Sequence, residues 1–127
     1  MRIKASRQFS TWFDGIKSEG GVRLELIGAL LGELYELNCK PTTESATFKR
    51  VRQARRHEIW RVAHPFVEGV AVRILCWFDD QESVVVVALV GGDKGPIGDV
   101  WYTSAAVRAE AVLDDWLRQQ NTGKEAG

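Results

Sequence analysis

Six cations and one acid occupy the stretch from Phe48 to His64: Lys49, Arg50, Arg52, Arg55, Arg56 and Arg61 against Glu58. Gathered on one surface, such side chains form a footprint for a polyanion, and a phosphate backbone is the commonest large one. Arg73 lies downstream among apolar neighbours, as Arg61 does, and Lys94 follows a third strand at the Gly91-Gly92 loop. An arginine inside an apolar strand must face a watery groove or a carboxylate, because burying it unpaired would cost several kcal/mol. Around a phosphodiester these cations would stabilise the charge of a pentacovalent phosphorane. His57 belongs to the same run, and an imidazole is suited to general acid or base work near neutral pH. Tyr102, after Trp101, could stack on a base or move a proton. The plainer alternatives are a solvated basic face, an Arg61 paired with Glu58 or with an acid of the last helix, and a Tyr102 that only caps the core.

The chain as a whole is neutral, with 17 basic and 17 acidic residues among 127. Residues 1–47 carry six of each sign, and from Pro65 onward five basic residues face ten acids. Any contact with a polyanion therefore has to be local. Several enzyme classes are excluded by motif. Gly91-Gly92-Asp93-Lys94 shares only glycine and lysine with a phosphate-binding loop, and no Gly-x-Ser-x-Gly is present. His57 and His64, the only histidines, have no cysteine or carboxylate at zinc spacing, so neither metal nor cofactor is expected. Cys39 and Cys76 read as free thiols of a reducing cytosol, a disulfide between them being the alternative. No apolar run approaches the roughly 20 residues of a membrane helix, and residues 1–8 lack the apolar core of a signal peptide. A cytoplasmic protein without a membrane partner is expected.

The elements that must position the cations follow from periodicity. Phe9, Trp12, Phe13 and Ile16 form one face of a short helix capped by Ser6 or Ser10, and Gly20-Gly21 ends it. Leu24, Ile27, Leu30, Leu31 and Leu34 predict a second helix, so the two make a hairpin. Residues 39–47 read as a loop. The period then changes to two. Glu58–His64 places Trp60 and Val62 opposite Ile59 and Arg61, and Val70–Phe78 places Val72, Ile74, Cys76 and Phe78 opposite Ala71, Arg73, Leu75 and Trp77. Asp79-Asp80-Gln81 is a turn, and Val84–Val90 is a strand covered on both faces. Gly91–Pro96 reads as an irregular loop. A last helix is predicted over Thr103–Gln119, capped by Thr103 or Ser104, with a flexible tail at 121–127. The expectation is one α+β domain over residues 1–120: a helical hairpin on an antiparallel sheet of three or four strands, with residues 1–6 a possible edge strand, then a C-terminal helix.

The stretch Val87-Ala-Leu-Val-Gly-Gly-Asp-Lys94, then Trp101-Tyr102, Arg108-Ala-Glu110 and Leu113-Asp-Asp-Trp-Leu117, is similar to the end of RelE/HigB-like toxins, in particular the phage-derived HigB and actinobacterial RelE-type group. Upstream, the helical hairpin, the Pro-containing loop, the basic strip, Trp60-Arg61 and Val72-Arg73-Ile74-Leu75 fit the same pattern, so the resemblance runs from about Phe9 to Arg118. It implies a RelE-like fold and the toxin of a type II toxin–antitoxin system. Such a toxin is a ribosome-dependent mRNA endonuclease that inhibits translation by metal-free attack of a ribose 2′-OH on the adjacent phosphate. The implied partners are the ribosome, mRNA and a cognate antitoxin of helix-turn-helix type. Carried over, Arg61 and Arg73 would be the strand arginines, Lys94 the post-strand lysine and Asp93 an acid near the scissile group, with His57 a further catalytic candidate. Lys49, Arg50, Arg52, Arg55, Arg56 and Tyr102 would hold the nucleic acid. Two other readings stay open: a non-catalytic ParE-like gyrase inhibitor, and an inactive toxin-fold protein that only binds an antitoxin-like partner.

Overall fold

The computed structural model describes the backbone of residues 1–126 and the side chains of residues 1–121. The fold is α+β, with helices on both faces of a five-stranded mixed sheet. The elements run β1 (Arg2–Ala5), α1 (Arg7–Glu19), α2 (Gly21–Glu36), β2 (Phe48–Arg50), β3 (Trp60–Ala63), β4 (Val72–Phe78), β5 (Val85–Asp93) and α3 (Trp101–Ala126). Strand order is β1-β5-β4-β3-β2.

Period-two alternation sorts the sheet between two cores. Trp60, Val62, Val72, Ile74, Cys76 and Phe78 pack against α1 and α2 through Phe9, Ile16, Ile27, Leu30 and Leu34. Ile59, Leu75, Val87 and Leu89 pack against α3 through Ala105, Ala109, Val112 and Leu113. Arg61 and Arg73 therefore fall on the α3 side. Ser6 caps α1 by accepting from the Phe9 N–H at 3.0 Å, and its hydroxyl donates to the Leu89 carbonyl at 2.6 Å. Gly20 and Gly21 take φ of +68° and +80°, which lets α2 start with a single residue between it and α1. Asp79 Oδ1 accepts from the N–H groups of Gln81 and Glu82, closing the β4–β5 turn.

The structure corrects the expected sheet in three places. It has five strands, and one pairing is parallel: β1 runs alongside β5, with Arg2 opposite Val85 and Ala5 opposite Ala88. The basic stretch itself contributes β2, with Lys49 opposite Arg61. The Gly91-Gly92-Asp93 segment is strand rather than loop, pairing with Ile74, Arg73 and Val72. Here glycine marks close packing instead of freedom. A Cβ on Gly91 would strike the Trp12 ring, and one on Gly92 would lie 2.7 Å from Trp101 Cζ2.

β5 also carries a bulge. Leu75 pairs with Val90 and Cys76 with Ala88, so Leu89 is extra and both Leu89 and Val90 reach the α3 core. Beyond it, alternation resumes one residue out of step.

The last helix begins two residues earlier than expected. A single 3₁₀ turn, Gly98–Val100, leads into it at Trp101, so Thr103 and Ser104 lie inside the helix and do not cap it. The expected tail at 121–127 is helical backbone as far as Ala126; its side chains beyond 121, and Gly127, lie outside the described residues. Both cysteines are free, Cys39 exposed and Cys76 buried. No described helix is long and apolar enough to cross a membrane.

Candidate nucleic-acid interface

A groove of about 320 Å³ opens on the α3 side of the sheet, where β2, β3 and β4 run past the start of the helix. Its cations come from successive strands: Lys49, Arg50 and Arg52 from and beside β2, Arg61 from β3, Arg73 from β4, and Lys94 just after β5. Tyr102 and Asp99 complete the wall. Lys49 and Arg61 stand directly opposite each other in the β2–β3 register, a placement that repels unless an anion lies over it.

Arg61 is half-buried and donates through Nη1 to the carbonyls of Ala46 at 2.7 Å and Thr47 at 3.1 Å. Burial holds its guanidinium below the usual arginine range, and nearby Arg73 pushes the same way. Arg73 donates through Nη1 to the Val72 carbonyl at 2.9 Å, while its buried Nε has no hydrogen-bond partner. Among the described residues neither arginine, nor Lys49, has a carboxylate partner within ion-pair distance. The alternative pairing of Arg61 with Glu58 does not form: Glu58 takes the Trp60 indole N–H at 2.8 Å and Lys40 at 3.1 Å. Arg50 and Arg52 approach Glu44 only at 3.9 Å, the outer limit of an ion pair.

Lys94 pairs with Asp99, and its Nζ lies 5.6 Å from the centre of the Tyr102 ring. The hydrogen bond from Lys94, then its charge and those of Arg73 and Arg61, hold the Asp99 carboxyl below its ordinary range. Tyr102 belongs to the core and also borders the groove. It is buried at 9% exposure against Trp101, ring centres 5.1 Å apart, and one edge still lines the groove.

Two expected catalytic residues are elsewhere. Asp93 precedes Lys94 in an extended segment, so the two point to opposite faces of the sheet. Asp93 turns toward α2, where Oδ2 takes Arg23 at 2.9 Å; Oδ1 accepts from the Ala71 and Gly95 N–H groups at 2.9 and 2.8 Å. Burial alone would raise this carboxyl, but those donors together hold it below its ordinary range. It is a bolt between loops. His57 is tied to α3 through Asp114 Oδ1 at 2.8 Å and borders a cavity beside Glu44 and Ile59 that adjoins the groove at Arg50, Val51 and Arg52.

The basic stretch therefore divides. In its first half Lys49 and Arg52 face the groove, while the Arg50 guanidinium lies 5.7 Å from the Trp60 ring centre, on the α1/α2 side of the sheet. Its second half is fastened to α3: the Glu110 carboxylate accepts from the backbone N–H groups of Arg55, Arg56 and His57 at 3.2, 2.7 and 3.0 Å, and Arg56 pairs with Asp114 at 2.8 Å. Burial would raise the Glu110 carboxyl, yet the three N–H donors and Arg56 hold it low. Asp114 is held low by the His57 and Arg56 hydrogen bonds. Arg55 and Arg56 are thus not brought to the groove with the other cations.

Sequence reasoning missed Glu110, Asp114 and Asp99. The acid spacing of Glu110 and Asp114, i and i+4 on one helix face, is the signal that could have found the first two. His64 is also more than a strand end: Nε2 accepts from the Val72 N–H at 3.0 Å, which leaves Nδ1 to donate to the Pro65 carbonyl at 2.7 Å. Among the described residues no three histidine, cysteine or carboxylate side chains are grouped to hold a metal ion. Comparison with family models, with curated proteins and with solved structures finds nothing that matches this chain.

Proposed function

We propose that the protein is the toxin of a type II toxin–antitoxin pair, of RelE/HigB-like kind and RelE-like fold, acting in the cytoplasm as a ribosome-dependent mRNA endonuclease. The observation that carries this reading is the groove in which Arg61 and Arg73, without carboxylate partners among the described residues, meet Lys49, Lys94 and Tyr102. A phosphodiester seated there would supply the missing negative charge.

The chemistry is that of a 2′-OH attacking the neighbouring phosphate. Two guanidiniums fixed by backbone carbonyls need no rearrangement as the phosphorane gains charge. Among the described residues Asp99 is the one carboxylate that lines the groove, and in this reading it accepts the 2′-OH proton while its partner Lys94, or Tyr102, returns a proton to the departing 5′-oxygen. Asp93 and His57, tied to Arg23 and Asp114, take no part in the chemistry in this reading. The partners this reading requires are the ribosome, mRNA and a cognate antitoxin.

One observation favours a second reading. The imidazole of His57, the side chain most suited to acid–base catalysis at neutral pH, is held outside the groove. That fits a surface which binds without cutting, as in a ParE-like gyrase inhibitor or an inactive toxin-fold protein. Adding the purified chain to a translating extract with end-labelled mRNA separates them. Discrete cuts that need ribosomes support the endonuclease. Intact message with halted DNA supercoiling, or with no effect at all, supports the alternatives.

A further inference from the structure

A further cavity, about 260 Å³, adjoins the cationic groove and shares Arg73 and Lys94 with it. Its outer wall is the hairpin between β3 and β4, which carries Phe66 at 90% exposure, the most exposed large apolar side chain described. Its other wall is the loop after β5, at Gly95 and Gly98.

Both walls are built to stay in place. His64 ties the start of the hairpin to Pro65 and to the Val72 N–H, and Val67 bridges Val70 across a turn at Gly69, φ +75°. Asp93 fastens the end of the hairpin at Ala71 to Gly95. A Cβ on Gly95 would lie 3.0 Å from the Gly69 carbonyl, so the loops meet backbone to backbone. A rigid scaffold thus holds out a bare phenyl ring beside two cations. The volume falls below the roughly 300 Å³ at which drug-sized sites begin, a size for one planar ring system.

We propose that this cavity is a nucleobase subsite of the groove, in which Phe66 stacks on a base of single-stranded RNA whose phosphate lies against Arg73 and Lys94. Every base has a π-face, so an aromatic platform beside a cationic track is the pairing that single-stranded nucleic acid uses. Charge complementarity selects this occupant over an apolar peptide, since the cavity's inner end is formed by two cations. The proposal rests on the reading of the groove as an RNA site.

The test is fluorescence anisotropy with two labelled probes of equal length: a single-stranded oligoribonucleotide, and an abasic oligomer that keeps the phosphates. Phe66→Ala, Phe66→Leu and Phe66→Trp are compared with the wild-type chain and with Lys49→Glu. The base-bearing probe should bind Phe66→Ala and Phe66→Leu at least about fivefold more weakly, while Phe66→Trp retains affinity. All three should bind the abasic probe as wild type does, whereas Lys49→Glu weakens both probes. If Lys49→Glu weakens binding and Phe66→Ala does not, the subsite is overturned and the phosphate groove stands. If the wild-type chain binds neither probe, with or without added ribosomes, the groove reading fails and the subsite fails with it.

Discussion

Replacing Glu110 should show how the basic stretch is held against α3. Three backbone N–H groups, those of Arg55, Arg56 and His57, end on its two oxygens. Glu110 is 7% exposed, so water has little room to take over. Hydrogen bonds to a charged acceptor contribute about 1.5–3 kcal/mol each, and the length of the Arg55 bond, 3.2 Å, argues for the lower end. Glu110→Ala should therefore cost roughly 4 kcal/mol, a large share of the 5–15 kcal/mol typical of a domain. Glu110→Gln is the sharper probe. Its amide oxygen can keep the two bonds at the Oε2 position, but its NH2 then faces the Arg55 N–H, donor against donor. The loss should be about 1–2 kcal/mol. With a urea slope of about 1–3 kcal/mol per molar, the alanine variant moves the unfolding midpoint by about 2 M and the glutamine variant by under about 1 M. Hydrogen exchange should speed selectively at Arg56 and His57 in the alanine variant and at Arg55 in the glutamine variant. An alanine midpoint within about 0.3 M of wild type would refute the reasoning, since the three donors would then be satisfied without the carboxylate.

Other perturbations have equally definite outcomes. Asp93 is held below its ordinary range when folded, so its contribution is complete above the unfolded carboxylate value and is lost as pH falls through the folded one. Wild-type stability should therefore drop more steeply below about pH 4 than that of Asp93→Asn, which urea titrations at stepped pH would measure. Gly92→Ala pushes a methyl into the Trp101 ring and should cost roughly 1–3 kcal/mol or more by thermal unfolding, although Gly92 sits near the chain's most loop-like sequence. His57→Ala removes a tether to Asp114 and no groove cation, so it should leave growth inhibition on induction intact, whereas Lys49→Glu should relieve it.

Much of this architecture was legible from residue spacing. The alternation that put Trp60 and Val62 opposite Arg61, and Ile74 opposite Arg73, fixed the face on which both arginines emerge. The helical hairpin was equally plain, because the stripe from Phe9 to Ile16 and that from Leu24 to Leu34 each bury one face. What stayed hidden depended on distant residues. Glycines at 91 and 92 signal a loop by local propensity, and only Trp12 and Trp101 packing on them reveals a strand. Asp93 beside Lys94 suggests a shared site until the pleat sends them apart, and its partner Arg23 lies 70 residues away. His57 is held to α3 by Asp114, 57 residues on, a partner its neighbours in sequence do not reveal. β1 was visible only as a possible edge, since four residues that gain their register from β5 carry little signal alone.

The central claim is that the cations of this groove cut message under translation. It is tested most directly by mapping RNA 5′ ends soon after inducing the wild-type chain, beside an Arg73→Glu variant verified as folded. The account predicts new 5′ ends inside translated codons with the wild type and none with the variant. Growth arrest with unbroken RNA, or the same cuts in both strains, would contradict it.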